Sequence, residues 1–142
     1  MIVDAHVYLG QCLFSYGQSQ SEILARMDHL EIDRAVLVPV KPTGYHLGPA
    51  NDLVSQAVQE HPERFWGLCR VDPWQGDAAV AEVRRGFEAL GACGLYLDPW
   101  EENFQANDNV VVPVLEAAGS YRKPVVINAG HLRVSHPTQV RD

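Results

Sequence analysis

The sequence has little positive charge and no long hydrophobic run. Its 142 residues carry 11 Lys and Arg against 18 Asp and Glu, which gives a formal net charge of -7. Proteins that grip the phosphate backbone of nucleic acids present a basic surface, so this balance argues against a nucleic-acid partner. No apolar stretch approaches the roughly 20 residues that cross a bilayer, so no membrane partner is expected.

Cysteines are few, and their number is odd. Cys12, Cys69 and Cys93 include no CxxC pair, which argues against a disulfide framework or a zinc knuckle. The N-terminus lacks a basic segment followed by an apolar one, so no secretory signal is expected. Together these features predict a protein of the reducing cytoplasm. Cys12, in the loop after the first strand, is the candidate for an exposed reactive thiol.

Glycine-rich phosphate loops are also missing. The residues after the first predicted strand, 9–12 (LGQC), match neither GxGxxG nor GxxxxGK[ST], so a nucleotide-binding or flavin-binding protein is disfavoured. What the chain does have is 46% hydrophobic and 20% charged residues, a composition typical of a soluble globular protein. The length suits one domain over residues 1–142.

Short apolar runs alternate with amphipathic stretches along this domain. Helical spacing of apolar residues begins near Ile23, Leu53, Val80 and Val110, with helix-start signals at 51–52, 77 and 107–108. Runs with the length of buried strands lie at 2–6, 35–40, 65–72, 93–98 and 124–129. This alternation predicts an α/β fold of parallel (β/α) units with right-handed crossovers.

Two architectures fit such a series. One is a TIM-like (β/α) barrel, incomplete here with about five strands, and the other is a closed five-stranded doubly wound sheet. Length favours the doubly wound sheet, because a full barrel takes about 250 residues. Motifs in the predicted strands favour the barrel.

Polar side chains concentrate at the carboxyl ends of the predicted strands, where ligands bind in both architectures. Because strand side chains alternate between faces, the polar ones are expected to share one face. They are Asp4, His6, Tyr8, Arg70, Asp72, Tyr96, Asp98 and Asn128. Each single Asp or Asn could instead cap the helix that follows its strand.

Several segments carry a family resemblance, among them 32–36, 61–65, 71–73 and 135–137. Residues 4–10 (DAHVYLG) resemble the DxHxHxG start of the amidohydrolase superfamily, and residues 94–99 (GLYLDP) and 124–130 (PVVINAG) resemble two later strands of its amidohydrolase-related branch, amidohydrolase family 2. The segments stand in the family's order across nearly the whole chain. The resemblance implies the N-terminal part of a TIM-like barrel and a metal-dependent hydrolase or decarboxylase of small molecules.

The resemblance also implies a divalent metal, usually zinc, which histidines at strand ends would hold. His6 matches the first metal histidine, and Asp98 stands where the branch often has another. Asp98 is therefore expected as a metal ligand and as the catalytic carboxylate. Tyr8 and Asn128 occupy two further histidine positions, and His131 could substitute as a ligand.

A second set of side chains at strand ends and in the loops is expected to contact substrate. They are Arg70, Tyr96, Asn128 and Trp100. Arg70 could pair with a substrate carboxylate or form an internal salt bridge with Asp72 or Asp98. Trp100 could stack on a ligand or simply cover the barrel mouth.

The departures from the family pattern predict an impaired enzyme. Metal ligands are substituted, and the later histidine and aspartate of the family would follow residue 142. The alternative is a non-catalytic small-molecule-binding or interaction module on the same scaffold. Because the last strand of an incomplete barrel is an open edge, we expect a homo-oligomer or a second chain that completes the barrel.

Overall fold

A mostly parallel sheet organises the computed structural model, which describes residues 1–130 and 134–141. Its strand order is β2-β1-β3-β4-β5-β6, and only the β1–β2 pair is antiparallel among the described residues. The strands are β1 (Val3–Gln11), β2 (Gly17–Gln18), β3 (Arg34–Pro39), β4 (Phe65–Arg70), β5 (Gly94–Leu97) and β6 (Val125–Ile127).

Helices connect the parallel strands in the predicted alternation. They are α1 (Gln20–His29), α2 (Leu47–Glu60), α3 (Asp77–Glu88), α4 (Val112–Ser120) and α5 (Pro137–Arg141). Each new parallel strand is added to the same edge of the sheet, whereas a doubly wound sheet reverses direction at a switch point. Sequential addition is the order of a barrel, so the α/β barrel prediction is confirmed and the doubly wound alternative is wrong.

One face of the sheet is covered by helices. Two clusters of buried apolar side chains lie there, one involving α1, α2 and strands β1, β3 and β4, the other α3, α4 and strands β4 and β5. Glycine permits the close approach of α3 to β4, because a Cβ at Gly86 would lie 2.6 Å from the Cys69 sulfur. Gly67 plays the same role against α2, where a Cβ would lie 2.6 Å from Val54.

The opposite face is the one that a closed barrel turns inward, and we call it the concave face. Val38, Leu68 and Tyr96 form a buried layer on it, with Tyr8 and Val36 packed alongside. Within the described residues, β6 and residues 3–9 of β1 each pair on one side only. The sheet therefore has an open edge at both ends.

The structure corrects three details of the predicted elements. Strand β1 continues to Gln11, well past the predicted end at residue 6, and the short β2 folds back on it. Helix α2 begins at Leu47, before the start signal at residues 51–52, because its proline lies in the first turn, where proline is tolerated. Cys12 is buried, with 3% of its surface exposed, so it is not an exposed thiol.

A β-bulge in β1 corrects the predicted alternation of faces. The register shifts between Asp4 and Val7, so that Asp4 pairs with Ala35 on the helix-covered side. His6 and Tyr8 remain on the concave side. The Asp4 carboxylate accepts a hydrogen bond from the backbone N–H of His6, at 3.2 Å. Bulges commonly redirect side chains in this way beside binding sites.

No helix within the described ranges is both long and apolar enough to cross a membrane.

Candidate functional site

The carboxylate of Asp98 is the centre of a polar network on the concave face. Asp98 follows β5 directly and is 1% exposed. Its Oδ2 accepts hydrogen bonds from Tyr96 Oη at 3.0 Å and Asn128 Nδ2 at 2.9 Å. Its Oδ1 accepts from the backbone N–H groups of Trp100 at 3.2 Å and Glu101 at 3.1 Å. Four donors therefore satisfy a buried charge that would otherwise be costly.

Two phenols and an imidazole extend this network toward β1. Tyr8 Oη lies 2.7 Å from Tyr96 Oη, and burial raises the pKa of both phenols. The His6 ring meets both rings edge-on, with centroids 4.7 Å from Tyr8 and 5.3 Å from Tyr96. Burial lowers the pKa of His6 despite the opposing charges of Asp4 and Asp98, so the imidazole is neutral at pH 7.

Arg70, at the end of β4, is fully buried and bound by acidic side chains. Its Nη2 lies 2.5 Å from Glu101 Oε2 and 2.8 Å from Glu102 Oε1, while Nη1 donates to the Pro39 carbonyl at 3.1 Å. Its guanidinium also lies over the Tyr96 ring, 5.4 Å from the centroid. Burial opposes the charged guanidinium, but the Glu102 and Glu101 carboxylates outweigh it and raise the pKa of Arg70.

These partners correct the predicted salt bridges of Arg70. Neither Asp72 nor Asp98 pairs with it, because the long side chain reaches the loop after β5 instead. The Asp72 carboxylate accepts a hydrogen bond from the backbone N–H of Trp74 at 3.1 Å. Asp72 therefore caps the turn after its strand, which was predicted as the alternative to a ligand-binding role. A substrate-binding role for Arg70 stays a prediction.

Glu102 is a buried acid that the sequence reasoning missed. Its side chain is fully buried, and its Oε1 lies 3.4 Å from Lys41 Nζ as well as beside Arg70. Burial is the main cause that raises the pKa of Glu102 to about 7, against the attraction of Arg70 and Lys41. Glu102 Oε2 and Arg70 Nε have no hydrogen-bond partner among the described atoms. Two successive acids in an aromatic-rich strand-end loop were the available signal.

Asn51 holds the end of β4 in place. Its Oδ1 accepts from Arg70 N at 2.8 Å, and its Nδ2 donates to Arg70 O at 2.9 Å and to Glu82 Oε1 at 2.7 Å. Asn51 was predicted as a helix-start residue, but it lies inside α2 and is buried. It positions Arg70 through the backbone.

Trp100 lies at the rim of this site. Its side chain is 56% exposed, and it borders a cleft of about 330 Å³ between the loops that follow β1, β3 and β5. The residues lining the cleft are Leu13, Phe14, Lys41, Tyr45, Trp100 and Glu101. The volume is at the lower end of the range for small-molecule sites.

The residues of the described ranges do not fit a divalent metal site. No group of three His, Cys, Asp or Glu side chains that could hold an ion occurs among them. Asp98 already accepts four hydrogen bonds, which use the lone-pair sites that its carboxylate would offer to an ion. Tyr8, at the second histidine position, is hydrogen-bonded to Tyr96 and has a raised pKa. His131 lies outside the described residues.

Comparison with solved structures identifies the fold. A 5-carboxyvanillate decarboxylase from Novosphingobium aromaticivorans, in complex with manganese, superposes with a TM-score of 0.76 at 17% identity, over 92% of this chain and 50% of its own. A 2,6-dihydroxybenzoate decarboxylase from Rhizobium gives 0.71 at 18%, over 99% and 52%. An amidohydrolase II gives 0.77 at 12%, over 96% and 53%.

The chain thus spans about half the length of the solved structures it matches. No protein-family model matches it, and no curated protein sequence does. The described residues therefore form part of a TIM-like barrel. Its fold is similar to that of the solved amidohydrolase II and of the two decarboxylases, so the resemblance found in the sequence is confirmed for the fold.

Proposed function

We propose that this chain is one domain, the N-terminal part of an amidohydrolase-type barrel that acts as a hydrolase or decarboxylase on a small molecule. One observation carries the proposal. Polar side chains from β1, from the end of β4 and from the ends of β5 and β6 converge on the concave face around Asp98. Two of the structurally similar proteins are decarboxylases of small aromatic acids, and their fold supports the same location for a ligand here.

Asp98 is the proposed catalytic carboxylate. It can exchange a proton with a substrate only where the substrate displaces one of its donors, and Asn128 is the donor nearest the open edge of the sheet. Asn128 and Trp100 are the proposed ligand contacts. Tyr96 and Arg70 are buried and are proposed to bind substrate only when the loop after β5 moves.

The described residues give little support to the divalent metal that the sequence resemblance implies. Manganese is part of the Novosphingobium decarboxylase complex, and zinc was implied by the sequence resemblance. His6 and Asp98 alone are too few ligands, since zinc sites take at least three from the protein. Any metal in the complete barrel would need further ligands.

A second candidate function is supported by the satisfied state of Asp98. A carboxylate with four protein donors is built as a structural centre, not as an open ligand. We propose as the alternative a non-catalytic small-molecule-binding module on the same scaffold.

Carbon dioxide release distinguishes the two candidates. The chain is incubated with manganese and either 5-carboxyvanillate or 2,6-dihydroxybenzoate, the acids that name the similar enzymes. Release that disappears in Asp98→Ala but survives in Asp77→Ala, an exposed acid at the start of α3, supports the enzyme. Absence of release from a folded chain that still binds either acid contradicts a decarboxylase acting on these acids and supports the module.

Metal analysis adds an independent test. The chain is purified from medium supplemented with zinc and manganese, and its metal content is measured. We expect less than one equivalent, unchanged by Asp98→Ala. Stoichiometric metal that is lost in His6→Ala and Asp98→Ala, but kept in the exposed control His29→Ala, would show that His6 and Asp98 do hold a metal.

The two open edges support a proposal about partners. We propose that β6 and the free side of β1 pair with a second copy or with a chain that completes the barrel, because unpaired edges favour association. Sedimentation velocity on the chain tests this. A compact monomer at all concentrations would contradict it. Cytoplasmic location stays a prediction.

A further inference from the structure

We propose that the concave face offers the acceptor oxygens of Tyr8 and Asn128 to a ligand. It therefore binds the hydroxyl or ammonium end of a small molecule in preference to a carboxylate. This inference deepens the proposed function, on which it rests, by naming the chemical group that faces β1 and β6. Its basis is the direction of the hydrogen bonds around Asp98.

The direction is fixed at the buried end of the network. An aspartate carboxylate has acceptors only, so Tyr96 Oη must donate its single proton to Asp98 Oδ2, at 3.0 Å. The bond of 2.7 Å between the two phenols then requires Tyr8 to donate and Tyr96 to accept. The hydroxyl proton of Tyr8 is used in its hydrogen bond to Tyr96, so the Tyr8 oxygen can act toward a ligand only as an acceptor.

Asn128 is oriented by the same carboxylate. Its Nδ2 donates to Asp98 Oδ2 at 2.9 Å, since the amide oxygen in that position would be repelled. Its backbone N–H donates to the Leu97 carbonyl at 2.9 Å, which holds the residue beside β5. The Oδ1 atom is thereby turned away from Asp98 and has no partner among the described residues.

Arg70 and Lys41, the cations that the described residues place beside this network, are already bound. The Arg70 guanidinium is fully buried between Glu101, Glu102 and the Pro39 carbonyl. The Lys41 side chain is 12% exposed, and its Nζ lies beside Glu102. Within residues 1–130 and 134–141, a ligand carboxylate would find acceptors and no free cation at this network, and leaving a charge unpaired is costly. A hydroxyl or ammonium group meets the matching acceptors.

Three probes of similar size test this polarity. Benzylamine, benzyl alcohol and benzoate are titrated separately into the isotope-labelled chain, and the NMR signals of the Asn128 side-chain amide and the Tyr8 ring are followed. We expect benzylammonium and benzyl alcohol to shift both sets of signals and benzoate to shift neither. Tyr8→Phe should weaken benzylamine binding about threefold to tenfold, the worth of one hydrogen bond.

Two variants serve as controls. Tyr121→Phe removes a phenol that bonds to Glu88, away from the network, and should leave binding unchanged. Asp98→Asn replaces the acceptor-only group with one that can also donate, so Tyr96 and Tyr8 can reverse, and benzoate binding should rise. Equal or tighter binding of benzoate by the unaltered chain overturns the inference, as does equal binding of benzylamine by Tyr8→Phe and Tyr121→Phe, or no binding of any probe.

The test separates this inference from the proposed function. Decarboxylation together with a preference for benzoate at these signals would uphold the function and overturn the inference. An inactive chain that prefers benzylammonium would uphold the inference and contradict the proposed enzyme.

Discussion

Ionisation of Glu102 is expected to weaken the fold as the pH rises. The side chain is fully buried beside Arg70 and Lys41, and its pKa is raised from 4.5 to about 7, chiefly by burial. The folded chain therefore holds the Glu102 proton more tightly than the unfolded chain does. Below pH 4.5 this group leaves stability unchanged, and its destabilising effect grows until the pH exceeds 7.

The magnitude follows from the gap between the two pKa values. Each pKa unit corresponds to about 1.4 kcal/mol, so between pH 5 and pH 8 Glu102 should lower the free energy of unfolding by about 2 to 3 kcal/mol. Glu102→Gln removes the titration. Its stability relative to the unaltered chain should rise by that amount over the same pH interval.

Urea unfolding, followed by tryptophan fluorescence at pH 5 and pH 8, measures this difference. Glu63→Gln, on the exposed turn before β4, is the matched control and should track the unaltered chain at both pH values. Parallel pH profiles for the unaltered chain and Glu102→Gln would show that the folded state does not raise the pKa of Glu102. A profile in which Glu102→Gln loses relative stability at pH 8 would show that the Arg70 and Lys41 charges outweigh burial.

Four further substitutions test how the sheet and helices are held. Asn51→Ala removes three hydrogen bonds, two of them to the main chain of β4, and should lower the free energy of unfolding by roughly 2 to 3 kcal/mol in urea. Gly86→Ala places a methyl 2.6 Å from the Cys69 sulfur and should lower the melting temperature, at a cost of about 1 to 3 kcal/mol. Gly119→Ala, in a helix with open space around it, should be neutral or stabilising. Ser19→Ala breaks the capping box of α1 and should cost about 1 kcal/mol by thermal unfolding.

The order of elements could be predicted because short apolar runs and helical spacing alternate along the whole chain. Alternation of side chains also placed Tyr96 opposite Leu95 and Leu97, as the structure confirms. The end of β1 and the bulge near His6 could not be predicted, since both depend on pairing with β2 and β3. Local patterns carry no information about such partners.

The sequence indicated which residues of the candidate site lie together better than it indicated their hydrogen-bond partners. The structure brings Tyr96, Asp98 and Asn128 together, as their places at strand ends suggested. The partners of Arg70 were missed because Glu101 and Glu102 lie in a loop about 30 residues later in the chain. Loop residues follow no periodic pattern, so only the folded chain shows which of them reach the sheet.

A crystal structure of the chain soaked in manganese chloride tests whether Asp98 is bound by protein donors or by a metal. We expect Asp98 Oδ2 within hydrogen-bonding distance of both Tyr96 Oη and Asn128 Nδ2, with no ion between Asp98 and His6. An ion bound by His6 and Asp98, or Asn128 displaced to the other side of the sheet from Asp98, would contradict it.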